Sequence, residues 1–234
     1  MVSRWQKFNI GVLGLLPVLL TFGCGGGGSG TELRVLDASP DETNVQVVVD
    51  GAALGSALAY GANTGYQSVK SGSRQFAIEA VGTTTNLVPN DATLSLASTT
   101  ETTVILAGYS SGLQGIALTD DNTTPPSGTI NIRLVNAMPS LGPVDVYVVT
   151  PGTTLSSVTP NFPSVSFAVP SNYVNLPIGS SANYEIYFTP PGSPGFTYMD
   201  SGPIAFGSGQ NRTIVGVNST SGGAYTYVML KDLN

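Results

Sequence analysis

The sequence predicts an all-β protein: two tandem antiparallel β-sandwich domains that follow an N-terminal leader segment and a glycine-rich tether. Three observations predict this class. Only 9% of the 234 residues are charged, while Gly, Ser, Thr and Val abound, which favours strands and turns over helices. No stretch shows a sustained helical period. Finally, five blocks of sequence recur in the same order along the chain.

The N-terminal segment has the layout of a secretory signal. Arg4 and Lys7 precede an apolar run of about 15 residues, shorter than the roughly 20 that a helix needs to cross a bilayer. Pro17 within this run also disfavours a lasting membrane helix. A small residue then precedes Cys24, the single cysteine of the chain. We therefore interpret residues 1–23 as a signal peptide.

Cys24 is the predicted lipidation site. The residues before it resemble the signal of bacterial lipoproteins: Gly23 fits, whereas Thr21 and Phe22 depart from the usual Leu and small residue. The resemblance implies acylation, of the palmitate type, at Cys24. An ordinary signal peptide with a spare thiol, or an uncleaved anchor, are the alternatives. Gly25 stands where, in the enteric lipoproteins that this signal resembles, an aspartate would favour inner-membrane retention; the resemblance therefore implies an envelope protein anchored in the outer membrane, facing the periplasm or the cell surface.

Residues 24–31 then form the lipidated cysteine and a flexible tether, whose glycine-rich part spans roughly 13–15 Å by random-coil scaling. Once the leader with Arg4 and Lys7 is removed, 6 of the 8 basic side chains remain against 14 acidic ones, a net charge of −8. Because nucleic-acid binding depends on Lys and Arg, this charge excludes nucleic acid as a partner. The expected partners are the membrane, through the lipid, and an envelope glycan or protein.

The body of the chain is an internal duplication. Leu33–Pro40 recurs as Ile132–Pro139, an offset of 99 residues. The other matches are Val45–Val49 with Val144–Val148, Phe76–Ala80 with Tyr184–Phe188, Thr103–Gly108 with Thr213–Val217, and Ala117–Asn122 with Met229–Asn234. We predict a first domain over 32–122 (the first half), a proline-stiffened linker over 123–128, and a second domain over 129–234 (the second half). Two beads on a hinge are expected.

Within each half, short strands dominate. Val45–Val49 places a valine at every second position, which is typical of a half-buried strand, and Asp50 and Gly51 then supply a hairpin turn. Thr102–Tyr109 and Arg212–Val217 are more continuously apolar and are predicted to be central strands. Seven or eight strands per half, separated by Gly, Pro and Asn turns, indicate an antiparallel sandwich.

Several segments together resemble the bacterial domain-of-unknown-function family 4397. They are Arg34–Asp41, Val45–Gly51, Gly65–Tyr66 and Leu118–Asp121. The resemblance covers the first half well and the second more loosely. It implies an immunoglobulin-like or related sandwich and an envelope location, but no activity. The family commonly has histidine where this chain has Asp37 and Asn136, so no role of that histidine is expected here.

Little catalytic chemistry is open to this chain. It contains no histidine, which excludes Ser-His-Asp and Cys-His catalysis and zinc or iron sites built on His or Cys. Glu79 and Glu185 are mid-strand carboxylates, and they leave a carboxylate-dependent hydrolase of envelope polysaccharide as the alternative function. Both are expected on solvated strand faces. We predict no catalytic residue and no cofactor.

A group of oxygen-bearing side chains near one end of the first domain suggests a second possible chemistry. These residues are Asp37, Ser39, Asp41, Glu42 and Asp50. Such hard ligands suit Ca²⁺. The second half has Asn136, Met138 and Val149 at the corresponding positions, which excludes a duplicated metal site. Acids that cap turns are the favoured interpretation, and we predict no metal site.

Tyrosine is the more informative residue type, since seven of the ten lie in the second half. Exposed tyrosines on a sheet make a rigid amphipathic platform for sugar or protein. We predict ligand binding at Tyr147, Tyr225 and Tyr227; packing at the edge of the core is the alternative. The predicted function is a non-catalytic envelope lipoprotein that serves as a binding or structural module.

Overall fold

A computed structural model describes residues 30–178, 183–220 and 225–233. The predicted signal peptide, Cys24 and most of the tether lie outside these residues. Within them the chain is almost entirely β-structure, with two short 3-10 helices at Pro89–Asp91 and Leu155–Ser157. The predicted all-β class is confirmed. Among the described residues, none of the helices has the length and apolar character to cross a membrane.

The first half forms two sheets. Its strands are β1 (Glu32–Ala38), β2 (Asn44–Val49), β3 (Ala52–Ala53), β4 (Leu58–Ala59), β5 (Gln67–Ser68), β6 (Gly72–Ala80), β7 (Thr93–Leu96), β8 (Glu101–Ala107) and β9 (Gln114–Thr119). One sheet has the order β5-β1-β8-β9, and the other β3-β2-β6-β7 with β4 also paired to β2. The predicted turn between β2 and β3 is confirmed, because Asp50 and Gly51 both have positive φ.

The second half repeats this strand order. Its strands are β10 (Thr129–Asn136), β11 (Val144–Val149), β12 (Phe162–Val165), β13 (Val174–Pro177), β14 (Asn183–Thr189), β15 (Met199–Asp200), β16 (Ile204–Ala205), β17 (Asn211–Asn218) and β18 (Tyr225–Leu233). The sheets run β13-β10-β17-β18 and β12-β11-β14-β15, with β16 paired to β14. Each half thus has nine strands among the described residues, more than the seven or eight predicted.

The sheets are mixed rather than purely antiparallel. Strand β1 pairs parallel with β8, and β10 pairs parallel with β17. In each half the chain crosses to the second sheet, adds one short strand (β5 or β13) to the edge of the first sheet, crosses again, and finally returns to the first sheet in its original direction. A parallel neighbour needs such a crossover connection. The expectation of an entirely antiparallel sandwich is wrong at these two pairs.

Three apolar clusters separate four sheet layers. One cluster lies between the two sheets of the first half and another between the two sheets of the second half. The middle cluster joins the halves: it combines Leu36, Ala38, Ile105, Ala107, Ile116 and Leu118 with Val135, Ala137, Val215, Val217 and Leu230. The inner strands β1, β8, β10 and β17 are therefore buried on both faces, which explains their continuous apolar runs.

This middle cluster shows that the picture of two separated beads is wrong. The linker is also held in place: Pro125 is buried, and Asn211 Nδ2 donates to the Thr123 carbonyl at 3.0 Å. The domain bounds 32–122 and 129–234 themselves remain predictions.

Strand pairing also corrects one of the sequence matches. Val48 pairs with Ala77, and the equivalent Tyr147 pairs with Tyr187, so Ala77 corresponds to Tyr187 at an offset of 110 residues. Sequence matching had placed Ala77 on Glu185, two residues too early. Because side chains alternate with a period of two along a strand, the shift changes the matched residue but not its face.

Candidate functional site

Two buried arginines occupy equivalent positions in the two halves. Arg34 lies on β1 and Arg133 lies 99 residues later on β10, and they are 3% and 4% exposed. Arg34 shares a strand face with Leu36, and Arg133 shares one with Val135, so both point into the middle layer. A buried guanidinium is stable only when it is paired and hydrogen-bonded.

Each arginine pairs with an aspartate of the opposite half. Arg34 Nη2 lies 2.5 Å from Asp232 Oδ1, and Arg133 Nη2 donates to Asp120 Oδ1. Each guanidinium also donates from Nη1 to a backbone carbonyl of the opposite half, that of Lys231 for Arg34 at 2.8 Å. Each half therefore supplies the aspartate that pairs with the buried arginine of the other half.

Threonine ties each arginine to its own half. In the parallel register of β1 and β8, Arg34 lies beside Thr103, and its Nε and Nη2 donate to Thr103 Oγ1 at 3.0 and 2.8 Å. Thr103 Oγ1 in turn donates to Asp120 Oδ2 at 2.5 Å. The equivalent contacts of the second half join Arg133, Thr213 and Asp232. In each half, one threonine hydroxyl thus accepts hydrogen bonds from the arginine and donates one to the aspartate of the same half.

A tyrosine covers each arginine. The guanidinium carbon of Arg34 lies 4.3 Å from the ring centre of Tyr66, whose hydroxyl donates to Asp120 Oδ2 at 2.8 Å. Arg133 lies 4.6 Å from the ring centre of Tyr173, which donates to the other aspartate at 2.9 Å. Burial, together with the neighbouring aspartate, raises the pKa of Tyr66 and of Tyr173 far above the usual range. Both hydroxyls therefore stay protonated donors.

These eight side chains form what we call the central ion network. They are Arg34, Tyr66, Thr103, Asp120, Arg133, Tyr173, Thr213 and Asp232. Two positive and two negative charges balance, and each charge is bonded within the protein. Breaking one partner of such a buried pair is costly, so the network fixes one relative position of the two halves. It offers no free nucleophile or base.

A second feature lies at the exposed junction of the two halves. Phe196 contacts Tyr198 and Tyr198 contacts Tyr225, with ring centres 5.3 and 5.8 Å apart in edge-to-face geometry. Ser140 Oγ donates to the Tyr225 hydroxyl at 3.3 Å, and Asn218 Nδ2 donates to Ser140 Oγ at 3.1 Å.

The first half contributes Tyr109 to the same surface. Asn218 Nδ2 also donates to the Tyr109 hydroxyl at 3.4 Å, so the contacts run continuously from one half to the other. We call Tyr109, Ser140, Phe196, Tyr198, Asn218 and Tyr225 the junction surface. Phe196 is 58% exposed and Tyr109 37% exposed, so this surface is open to solvent. None of the six side chains carries a charge at neutral pH.

A comparison with protein families identifies the chain. The family described as "Domain of unknown function (DUF4397)" matches residues 31–147, half of the sequence. The chain belongs to this family. A search of curated proteins gives no match. The DUF4397 match covers the first half and continues through the linker into β11, so it contains Arg34, Asp120 and Arg133 of the central ion network.

The predicted tyrosines of this DUF4397 protein do not form one platform. Tyr225 and Tyr227 are half-buried and pack against the core cluster of the second half. Val146 and Val148 face that same cluster, so Tyr147 lies on the opposite face of its sheet, and it is only 2% exposed. Of the three residues, Tyr225 alone belongs to the junction surface. Ligand binding at these positions stays a prediction.

The two candidate carboxylates of a hydrolase lie far apart. Glu79 lies on the outer sheet of the first half, beside a groove of about 520 Å³, and Glu185 on the outer sheet of the second half, bonded to Tyr187 Oη. Both point away from the cores, as predicted for their strand faces. Four layers spaced by about 10 Å separate them by roughly 30 Å.

The acidic side chains near one end of the first half have different partners and do not converge on one point. Asp41 accepts hydrogen bonds from Ser110 N and Oγ, which fixes a loop, and Asp50 pairs with Arg74 at 3.1 Å. Among the described residues, no three His, Cys, Asp or Glu side chains form a group that could hold a metal ion. The hydrogen bonds of Asp41 agree with the interpretation of these acids as turn-forming residues, and the absence of a metal site stays a prediction.

Asp37 is fully buried and incompletely bonded. Its Oδ1 accepts from Ser39 N at 3.0 Å, whereas Oδ2 has no hydrogen-bond partner among the described residues. Burial, and to a smaller extent the nearby Glu42, raises its pKa to about 6 against the lowering effect of the Ser39 N–H. In the second half Asn136 takes this place, and its Nδ2 donates to two backbone carbonyls. The Asn136 amide thus donates hydrogen bonds at the position where Asp37 Oδ2 has no partner.

Sequence reasoning missed the central ion network. A signal was available, because Arg34 and Arg133 interrupt apolar runs at matched positions and Asp120 and Asp232 lie at matched positions within the last pair of blocks. Four charged residues at matched positions, in or next to apolar strands of a mostly uncharged chain, indicate buried partners. What the sequence did not show is that each partner comes from the other half.

Proposed function

We propose that this DUF4397 protein is a non-catalytic cell-envelope lipoprotein, anchored through acylated Cys24, that displays two tandem domains as one binding or structural module. The anchor places it at the outer membrane, facing the periplasm or the cell surface. The leader pattern before Cys24 and the short glycine tether after it support this location.

The central ion network is the observation that carries the proposal. It uses the buried Arg and Asp side chains to hold the two halves in one position, and with a net charge of zero it offers no reacting group. A rigid pair of domains suits the presentation of a composite surface. The junction surface, built from both halves and open to solvent, is such a surface.

The alternative is a polysaccharide hydrolase that uses paired carboxylates. Such enzymes hold their two carboxyl groups roughly 5–10 Å apart across one cleft. Glu79 and Glu185 lie on opposite outer sheets, which disfavours this alternative. A binding module predicts that Glu79→Gln and Glu185→Gln leave the capture of envelope partners unchanged.

Fractionation of cells that express the full chain tests the anchor. We expect the wild-type protein in the detergent-extractable membrane fraction, with an N-terminal peptide whose mass includes acyl chains on Cys24. Cys24→Ser should lose the acyl mass, while Ser29→Ala in the same tether should behave as wild type. Wild-type protein recovered from the cytosol with an unmodified thiol would contradict the proposal.

A further inference from the structure

We propose that the junction surface binds an uncharged polysaccharide. This inference rests on the proposed binding function and names the class of its ligand. The surface combines three aromatic rings in a row with neutral hydroxyl and amide groups at one end. Sugar rings offer the complementary chemistry, because their C–H faces pack on aromatic rings and their hydroxyls exchange hydrogen bonds.

The aromatic row is already ordered. Phe196 and Tyr198 meet at an interplanar angle of 82°, and Tyr198 and Tyr225 meet at 74°. Edge-to-face contacts of this kind stabilise the rings against one another. Tyr198 and Tyr225 also pack against the core cluster of the second half. A ligand that stacks here therefore meets side chains that lose little conformational entropy on binding.

The polar end of the surface has exchangeable hydrogen bonds. Ser140, Asn218, Tyr109 and Tyr225 are joined by hydrogen bonds of 3.1 to 3.4 Å, longer than the usual optimum, and each of these bonds lies at the solvent-exposed surface. Hydroxyls of a sugar can replace these partners at little cost, since each group both gives up and regains a neutral hydrogen bond.

Charge selects among the possible polymers. The junction surface includes no lysine or arginine, and the whole chain carries a net charge of −6. An anionic polysaccharide would find no counter-charge in this surface and would approach a negatively charged protein. An uncharged chain encounters neither obstacle.

A protein partner fits the surface less well. Protein interfaces usually centre on a desolvated apolar core with Trp, Tyr, Phe, Met or Arg anchors. The junction surface has tyrosines but no Trp, Met or Arg, and Phe196 is its one entirely apolar side chain. Its alternation of rings and hydroxyls matches a sugar chain better.

The central ion network sets the geometry of this surface. Tyr109 comes from the first half and the other five residues come from the second. The Tyr60 hydroxyl of the first half also donates to the Asn218 carbonyl at 2.5 Å, and this bond links the two halves beside the junction surface. The two halves must keep one relative position for Tyr109 and Asn218 to act on the same ligand.

Affinity electrophoresis of the purified lipoprotein tests the proposal. Native gels would contain hydroxyethylcellulose, dextran or xyloglucan as uncharged probes and polygalacturonate as the anionic probe. A polyoxyethylene detergent keeps the lipid soluble without presenting sugar head groups. We expect at least one uncharged polymer to retard the wild-type protein.

The substitutions Phe196→Ala, Tyr198→Ala and Tyr225→Ala should each raise the apparent dissociation constant, by about tenfold for the two tyrosines. Phe196→Ala changes the most exposed ring and is the least disturbing to the fold. Tyr187→Ala is the matched control, because Tyr187 does not belong to the junction surface and points away from the core cluster against which Tyr198 and Tyr225 pack. Far-ultraviolet circular dichroism verifies folding of each variant.

Three outcomes would overturn the proposal: no retardation by any uncharged polymer, retardation by polygalacturonate alone, or full retardation of all three junction variants. A photo-crosslinking amino acid at position 196 tests whether an envelope protein binds this surface instead. Capture of an envelope protein without any polysaccharide binding would sustain a binding module but reject the sugar ligand. Failure of the lipid anchor would appear separately, in the fractionation of Cys24→Ser.

Discussion

Arg34 in β1 and Asp232 in β18 form a buried ion pair of 2.5 Å, although 198 residues separate them in sequence. The reciprocal pair joins Arg133 to Asp120. Neither half therefore neutralises its own buried charge completely. We therefore expect each half to depend on the other for its stability, because each supplies the aspartate that pairs with the other's buried arginine.

Replacing Arg34 should expose this dependence. Arg34→Met keeps much of the side-chain volume but leaves Asp232 without its cation, so we expect the free energy of unfolding to fall by about 3–5 kcal/mol. Urea denaturation followed by circular dichroism measures it, since the single tryptophan, Trp5, lies in the leader.

A surface pair provides the control for this measurement. Arg74 pairs with Asp50 at 3.1 Å, but the two side chains are 25% and 45% exposed. Arg74→Met should therefore change the free energy of unfolding by less than about 1 kcal/mol. Equal losses in both variants would mean that the buried Arg34 pair stabilises the protein no more than an exposed pair does.

Asp37 predicts an unusual pH dependence. Its pKa is raised to about 6 in the folded protein by burial, so the folded state binds a proton more tightly than the unfolded chain. Stability from this group is therefore present below about pH 4 and is lost as pH rises through 6. The two pKa values differ by about two units, which corresponds to on the order of 3 kcal/mol.

Substitution tests this pH dependence. Asp37→Asn removes the charge and keeps an oxygen for the Ser39 N–H, so the free energy of unfolding should rise at pH 7.5 and its slope between pH 4 and 6 should flatten. Asn136→Asp is the mirror variant, and it should introduce a comparable loss of stability above pH 6. Denaturation midpoints measured across this pH range test the prediction. An unchanged pH dependence in Asp37→Asn would show that Asp37 does not cause the loss of stability above pH 4.

Two glycines in one turn predict opposite outcomes. Gly108 has φ +108°, and a Cβ there would lie 2.5 Å from the Gly112 carbonyl oxygen. Gly108→Ala should therefore destabilise the protein by about 1–3 kcal/mol. Gly112 has free space around a Cβ, so Gly112→Ala should change stability by less than about 1 kcal/mol. Thermal melts of both variants compare them directly, and similar melting temperatures would contradict this reading of the turn.

The sequence predicted the local structure of the fold well. Alternating valines located β2, Asp50 and Gly51 located its turn, and continuous apolar runs located β8 and β17. These features depend on neighbouring residues and on a strand period of two. Parallel pairing of β1 with β8 depends instead on how the chain crosses between sheets, which no local pattern encodes.

The packing of the halves was harder to predict for a related reason. A run that is apolar on both faces, such as β10, shows that two surfaces are covered but not what covers them. The linker composition suggested a hinge, whereas the middle cluster makes the second half itself the cover. Similarly, the tyrosine count indicated an aromatic surface, but only the tertiary structure separates Tyr147 from Tyr225.

Hydrogen exchange of Arg34→Met, measured by mass spectrometry under native conditions, tests the interdependence of the halves most directly. Arg34 belongs to the first half, yet its closer ionic partner is Asp232 of β18, at 2.5 Å, while Asp120 of its own half lies 3.7 Å away. We predict that amide protection falls in β17 and β18 of the second half as much as in β1 and β8 of the first. Loss of protection confined to the first half would contradict the account and restore two independent domains.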